Sequence, residues 1–398
     1  MRKAYKFRIY PNKEQRQILE RTLNTCRILY NNLLAERRDT YKKTGRSPSY
    51  YEQRRSLVER KPNDPYMRQV HSQVLQNVAL RLQRTFDNFF RNIRRGRRTG
   101  YPRLKGRNRY DSFTYPQYMN GAELKDGKLN LSKIGMVRIF KHRSIPPSAI
   151  IKTCTIRRDV DKWYACFTVE MQSEKVAREQ SGQEIGVDFG LNSLLTLSNG
   201  EKIQPPKFLR KSEKKLKREQ RRLSRRKRNS QNRRKQRVKV AKTHRKIRLQ
   251  RTDYNHRLSR DLVARFDKIA FENLQIRNMM SNHHLAKSIA DAAWGQLHLF
   301  TSYKAEEAGK MVKGADPYGT TVDCSRCGFH VPKTLSERVH ECPNCGLVLD
   351  RDWNAAVNIL NRVGWGTAEL TPAEIQPLLR PCVVAEQAGS KNQEAHDL

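Results

Sequence analysis

The sequence predicts a multidomain α+β protein, and three observations carry that reading. Hydrophobic spacing alternates at the N-terminus, shifts to threes and fours, and later returns to short strand-like runs. A stretch at 207–251 without Gly or Pro divides the chain. Beyond it, two Cys-x-x-Cys pairs mark a small lobe of their own. At roughly 150 residues per domain, the 398 residues hold two or three domains with sizeable cores.

Tyr5, Phe7 and Ile9 alternate with Lys6, Arg8 and Tyr10 and stop at Pro11, which predicts a half-buried strand. From Lys13 to about Arg38 the apolar residues recur at helical spacing, from Ile18 through Leu23, Cys26 and Leu29 to Leu34. A second helix is expected from about Tyr66 to Arg94, through Val70, Val74, Val78, Leu82 and Phe86. Between them, residues 46–65 read as loop with a short helix near Tyr51 to Arg60. A stretch rich in Gly, Arg and aromatics follows at 95–118, suited to following a nucleic-acid backbone. Asp126-Gly127 between two short runs is a type I′ hairpin signature, and residues 150–156 and 163–169 pair across Asp159-Val160-Asp161. Residues 1–11 with 110–172 therefore read as a small β-barrel, interrupted by a helical insertion at 12–109.

Segment 207–251 holds 23 Lys or Arg against two Glu. Leu209, Leu216 and Leu223 are spaced by seven, as are Val240, Ile247 and Tyr254, with Asn229-Ser230-Gln231-Asn232 breaking the pattern. The prediction is a helical hairpin, within 207–260, with a basic exposed face. Residues 363–398 read as a flexible C-terminal tail.

Charge narrows the function classes. Eighty-one Lys and Arg against 39 Asp and Glu leave +42, with only 37% apolar residues. Such an excess repels itself unless a polyanion neutralises it, and nucleic acid is the expected partner. No apolar run approaches the ~18 residues that span a bilayer, and no apolar stretch follows the basic N-terminus. The expectation is a soluble cytoplasmic protein in a reducing compartment, since eight Cys in 398 residues make no disulfide framework.

Two constellations carry chemistry. Cys324-x-x-Cys327-Gly328 and Cys342-x-x-Cys345-Gly346 supply four soft thiolates for a tetrahedral structural Zn²⁺, with no coordination position left open for catalysis. Cys26, Cys154, Cys166 and Cys382 read as ordinary thiols. The second constellation is acidic. Glu184 to Gly190 forms a short apolar strand bearing Asp188, followed by a hairpin over 194–203. Asp267 to Leu274 forms another strand with Glu272 at its end, and Leu349 to Leu360 reads as an N-capped helix with Asp352 in its first turn. Acids at two strand ends and on a helix can converge on Mg²⁺ ions of the two-metal kind.

Gly186-Val187-Asp188-Phe189-Gly190, Phe271-Glu272-Asn273-Leu274, the paired knuckles and Asp350-Arg351-Asp352-Trp353-Asn354-Ala355-Ala356, in that order, resemble the TnpB family of insertion-sequence-encoded RNA-guided nucleases, relatives of type V CRISPR effectors. Tyr5 to Pro11 is similar to the family's opening strand, and His283 to Gly295 to its segment before the ribbon. Ala293 departs from the family, which often has Gly there. The resemblance covers roughly residues 1–362.

It implies a wedge-type barrel with an inserted helical recognition bundle, then an RNase H-like RuvC domain at 173–315 and 348–362, with a zinc ribbon inserted at 316–347. Asp188, Glu272 and Asp352 would be catalytic ligands of Mg²⁺ (or Mn²⁺), and Asp350 a cap or supporting residue. The implied activity is DNA cleavage beside a short target-adjacent motif, directed by a guide RNA from the transposon end, with one copy of the chain per RNA in a prokaryotic cytoplasm, acting at the nucleoid. Tyr51, Ser72, Gln73, Gln76, Thr114 and Tyr115 match the family's motif-facing positions, where Gln can pair with adenine and Tyr or Thr can meet a thymine methyl. The two Gln also fit a plain solvated helix face. A guide-dependent repressor, an unguided nuclease and a transposase stay open as alternatives. His283 and His284 read as residues of a basic loop without a metal or catalytic role.

Overall fold

The computed structural model describes residues 2–107, 109–171, 182–334 and 336–365. It divides into two compact units, Met1–Ser173 and Glu174–Leu398. The tail expected from 363 lies, from residue 366 on, outside the described residues, as does Cys382.

The first unit opens with β1 (Arg2–Tyr10) and a 32-residue helix α1 (Lys13–Thr44). Asn12 and Gln15 form a capping box at its start, and Gly45, at φ 70°, ends it. The helix outruns the expected Arg38 because nothing between there and Gly45 breaks it. A second capping box, Ser49 with Glu52, starts α2 (Tyr50–Asn63), which fills most of the segment read as loop. The helix expected from Tyr66 is split. Asp64 caps the short α3 (Pro65–Arg68), His71 is extended, and α4 runs over Ser72–Arg94.

Six strands follow: β2 (Ser112–Tyr115), β3 (Ala122–Lys125), β4 (Lys128–Leu131), β5 (Gly135–Phe140), β6 (Ile150–Asp159) and β7 (Lys162–Glu170). Asp126 and Gly127 both have positive φ, as the type I′ turn between β3 and β4 requires. With β1 the strands form an antiparallel sheet in the order β2-β6-β7-β1-β5-β4-β3. Among the described residues no ladder joins its edge strands β2 and β3, so hydrogen bonding makes a seven-stranded sheet where a barrel was expected. Its buried face, with Phe7, Ile9, Phe113, Leu129 and Phe167, shares one core with Leu19, Leu33, Leu75 and Leu82 of the helices.

The second unit contains β8 (Glu184–Phe189), β9 (Leu195–Leu197), β10 (Lys202–Ile203), the helices α5 (Phe208–Ser224) and α6 (Gln231–Arg265), and β11 (Lys268–Glu272). Next come α7 (Ile276–Met279), α8 (His283–Ala292), α9 (Trp294–Glu307) and β12 (Met311–Ala315). A small hairpin, β13 (Val339–Glu341) with β14 (Val348–Asp350), leads into α10 (Arg351–Arg362). The main sheet has the order β10-β9-β8-β11-β12, with β8, β11 and β12 parallel and the β8-β9-β10 meander antiparallel. Helices α5 and α6 form the basic hairpin, closed over buried Leu216, Leu223 and Ile247, and Gln236 donates to the Glu219 carboxylate across it at 2.7 Å. Among the described residues no helix is long and apolar enough to cross a membrane.

Ala293 joins α8 to α9 at φ 55°, ψ 40°, the left-handed region. A Cβ there costs roughly 1–2 kcal/mol, whereas Gly adds roughly 0.5–1 kcal/mol of unfolded-chain entropy. Strain relief wins. Ala293→Gly is expected to stabilise the protein by about 0.5–1 kcal/mol in thermal unfolding without changing activity; a lower melting temperature would show that chain entropy dominates at this junction.

Candidate active site and metal centre

The sheet of the second unit buries large residues on one face and small ones on the other. Ile185, Val187, Phe189, Ile269 and Phe271 face a core shared with Leu258, Leu262, Trp294 and Leu297. Side chains alternate along a strand, so Gly186 and Asp188, with Ala270 and Glu272, take the opposite face. There α10 packs. Gly186 is what allows it so close: a Cβ on that residue would lie 2.1 Å from the Ala356 carbonyl oxygen. Ala270 and Ala315 pack with Ile359 of the same helix and with Val363, which follows its last residue.

This packing sets the positions of the acids. The parallel register pairs Val187 with Phe271, so Asp188 and Glu272 follow one step later on neighbouring strands about 4.8 Å apart, pointing to the same face. The first turn of α10 brings Asp352 to that end of the sheet. Asp350 caps the helix, its carboxylate accepting from the N–H groups of Asp352 and Trp353 at 3.1 Å each and pairing with Lys202 at 2.7 Å. Although partial burial opposes it, Lys202 and those N–H groups hold Asp350 below the usual carboxylate range. Trp353 ties the helix to the Ser198 carbonyl at 2.9 Å.

Electrostatically the three acids form one group. Burial pushes Asp188 well above the ordinary range, and the charges of Glu272 and then Asp352 push it further. Glu272 is raised by burial, against the hydroxyl of Thr320 that donates to it at 3.1 Å. Asp352 accepts from Arg351 at 2.9 Å, and Arg338 stands at 3.9 Å. Like charges held together and half removed from water can hold cations. His298, packed on the Phe271 ring, is held down to about 4 by burial and so adds no positive charge near neutral pH.

The cysteines make a tighter set. Among the described residues, Cys324, Cys327, Cys342 and Cys345 are the one group of His, Cys, Asp or Glu whose ligand atoms all lie within 4.8 Å of one another, a spacing the three acids do not reach. Sulfur pairs Cys324–Cys345 and Cys327–Cys342 stand 3.6 Å apart. A tetrahedron with Zn–S bonds of ~2.3 Å has edges of ~3.8 Å, so the quartet fits zinc. Gly328 and Gly346, both at positive φ, close the knuckles by donating to the Cys324 and Cys342 carbonyls at 2.9 Å. A hydrogen bond from Asn344 helps hold the Cys327 thiol down to about 6, toward the thiolate that zinc requires. Cys26 and Cys154 are buried thiols, and Cys166 is half-buried.

The motif-facing candidates meet mixed outcomes. Tyr51 is exposed, Ser72 accepts from Lys61 at 2.6 Å, Gln73 donates to Gln117 at 2.5 Å, and Gln76 is half-buried on α4. Thr114 is engaged within the unit, accepting from Arg81 at 2.7 Å and sharing a hydrogen bond with Thr155 at 2.8 Å. Tyr115 is a correction. Its ring is 1% exposed and its hydroxyl donates to the Ser132 carbonyl, because it occupies an inward position of β2. His283 and His284 belong to the first turn of α8, capped by Asn282, and not to a loop.

Sequence reasoning missed Thr320, Asn354 and Asn358, which bind the ribbon to the acids. The Asn-x-x-x-Asn spacing on one face of α10 was a readable signal; Thr320 offered none.

Comparison with known proteins agrees with this architecture. Three family models match: "Probable transposase" over residues 166–283, "Cas12f1-like, TNB domain" over 294–359, and "Helix-turn-helix domain" over 1–46, where the structure has β1 and α1. A Streptomyces pristinaespiralis protein named "Putative RNA-guided DNA endonuclease" is 35% identical over 367 residues, covering 90% of this chain and 89% of its own. The Escherichia coli K12 protein named "Putative RNA-guided DNA endonuclease InsQ" is 29% identical over 376 residues, 90% of this chain and 91% of its own. The fold is similar to that of Cas12f1 in a cryo-EM structure of the Cas12f1-sgRNA-target DNA complex, with TM-score 0.54 at 13% identity, over 91% of this chain and 99% of that one. Motifs, topology and a relative matched along nine-tenths of the sequence coincide, and the chain belongs to the TnpB family.

Proposed function

We propose that the protein is an RNA-guided DNA endonuclease encoded by a transposable element, cutting double-stranded DNA beside a short motif. One observation carries the reading: Asp188, Glu272 and Asp352 meet at one end of a mixed sheet ordered β10-β9-β8-β11-β12, an order that supports reading this unit as an RNase H-like, RuvC-type domain. Relatives named for RNA-guided cleavage support it. All three acids are present, which argues against a repressor that binds without cutting.

The three carboxylates would hold two Mg²⁺ or Mn²⁺ ions. Such ions supply a nucleophilic hydroxide and neutralise charge on the scissile phosphate. The chain's own part is to orient. Gly186 and Ala270 let α10 approach, Asp350 fixes the helix start, and Arg351 and Thr320 set the rotamers of Asp352 and Glu272. The guide, drawn from the transposon end, pairs with one DNA strand in this reading and supplies most of the specificity. Tyr51, Ser72, Gln73, Gln76 and Thr114 face the adjacent motif, with Tyr115 supporting them from beneath. The basic hairpin α5–α6 grips the nucleic-acid backbone.

Simple affinity for DNA or RNA tests nothing at +42. The test is to express the chain with its native flanking DNA, purify it in high salt, sequence the RNA that follows it, and challenge that complex with a plasmid library randomised beside a guide-matched target. A single RNA with a constant 5′ part and variable 3′ guide, and cleavage confined to one adjacent motif, is expected. A heterogeneous RNA pool with motif-independent cutting would replace this reading with an unguided nuclease.

A further inference from the structure

Asn354 and Asn358 are buried amides on α10, at 0% and 7% exposure, two and six residues beyond Asp352. A buried amide costs roughly 1–3 kcal/mol unless bonded, so its partners indicate what it holds. Both hold the main chain entering the first cysteine knuckle. Asn354 donates to the Asp323 carbonyl at 2.8 Å and accepts from the Ser325 N–H at 2.9 Å, on either side of Cys324. Asn358 donates to the same Asp323 carbonyl at 2.7 Å and to the Thr320 carbonyl at 2.9 Å. Thr320, 2% exposed, turns its hydroxyl to Glu272 at 3.1 Å.

These bonds form a continuous path from a ribbon thiolate to a strand-end acid. On the second side of the ribbon, the Arg351 N–H donates to the Arg338 carbonyl at 2.8 Å, and its guanidinium, also bonded to Asp352, reaches the Glu337 carbonyl at 3.3 Å. The four-thiolate site is therefore attached at two points to the elements that aim Glu272 and Asp352.

We propose that Thr320, Asn354 and Asn358 are positioning residues coupling the two metal sites, so that zinc in the ribbon raises the affinity of the carboxylates for divalent cations. The inference rests on the carboxylate reading above. Zinc fixes the turn over 320–325; the asparagines lock that turn to α10; Thr320 then holds Glu272 in one rotamer before a cation arrives. Hydrogen bonds of this supporting kind are worth about 10–100-fold in metal affinity, and linkage makes the coupling reciprocal.

Thr320→Val removes the donor at nearly constant volume, and Thr320→Ser restores it. In the full-length chain freed of nucleic acid, Mn²⁺ binding is followed by electron paramagnetic resonance, with Asp188→Asn as baseline for incidental sites. The expectation is about 10–100-fold weaker Mn²⁺ binding in Thr320→Val, with one zinc per chain and the melting temperature retained. Thr320→Ser should bind within a few-fold of wild type. In the guided complex, Thr320→Val should need correspondingly more Mn²⁺ for half-maximal cleavage while approaching the wild-type rate at saturation. Equilibrium competition with a chromophoric chelator reads the reciprocal arm: saturating Mg²⁺ should tighten zinc retention in wild type and do so less in Thr320→Val. Unchanged Mn²⁺ affinity in Thr320→Val, or zinc retention indifferent to Mg²⁺ in wild type, overturns the coupling. Failure of the underlying reading looks different, because Asp188→Asn would then still cut.

Discussion

Asp188→Asn is expected to abolish cleavage, by at least about 10³-fold, while the protein keeps its guide RNA, binds target DNA and melts at a higher temperature. The activity arm follows from geometry. Asp188 is the most buried of the three acids and shares its end of the sheet with Glu272 and Asp352, so an amide there would remove one charged group from the centre of the proposed site. A 10³-fold loss corresponds to about 4 kcal/mol of transition-state stabilisation, a modest demand on a carboxylate that would hold the catalytic metal. The stability arm follows from electrostatics. Burial and two neighbouring carboxylates raise the affinity of Asp188 for a proton, so in metal-free protein its ionised form costs the fold at neutral pH. Because the folded pKa is raised, this destabilisation is absent below the unfolded value near 4 and grows as pH rises through the interval above it. Asparagine removes it at constant size. A gain of about 0.5–2 kcal/mol at neutral pH is expected in metal-free thermal unfolding, shrinking toward pH 4. Wild-type cleavage by Asp188→Asn in Mg²⁺ would refute the carboxylate assignment; loss of activity together with a lower melting temperature would refute the repulsion argument alone.

Why this site could be read from one dimension is a matter of chain topology. Asp188 and Glu272 end strands whose apolar runs are short and unmistakable, and Asp352 opens a helix announced by its cap and its small residues. Each acid is thus tied to a local signal. What the sequence did not show is how they are held. Thr320 lies in a loop with no period, and its contact with Glu272 spans 48 residues of separation. The same limit explains the first unit. The turn at Asp126-Gly127 is local and was legible, whereas the absence of a ladder between β2 and β3 depends on the twist of seven strands. Tyr115 shows the cost of reading a face without a register: β2 alternates inward and outward, and a one-residue difference in phase decides whether a tyrosine meets DNA or the core. The α2 helix was underestimated because its capping box, Ser49 with Glu52, precedes a polar and nearly aperiodic run.

Replacing Cys342 by Ser is expected to cause the largest loss of stability in the second unit and to remove activity without touching a carboxylate. Cys342 is 4% exposed, its N–H donates to the Leu347 carbonyl at 2.9 Å, and its sulfur stands 3.6 Å from that of Cys327. Three thiolates and a hydroxyl bind zinc far more weakly than four thiolates, and the ribbon has little else to fold around: two three-residue strands and a few turns cannot offset the conformational entropy of some thirty ordered residues at about 1–2 kcal/mol each. Structural zinc supplies ~10–16 kcal/mol to small domains of this kind. If a fifth of that passes through Asn354, Asn358 and Arg351 to α10, the rest of the unit loses about 2–3 kcal/mol, and its melting temperature falls by about 5–10 °C. Zinc content should drop from one per chain toward none, and new proteolytic cuts should appear within 320–347. Cys26→Ser is the control: burial pushes that thiol up to about 12, making it an unreactive core residue, so its replacement should leave zinc content unchanged. A Cys342→Ser protein that retains one zinc, its melting temperature and its cleavage rate would show that the quartet holds no structural metal, and that the asparagine lock on α10 stands by itself.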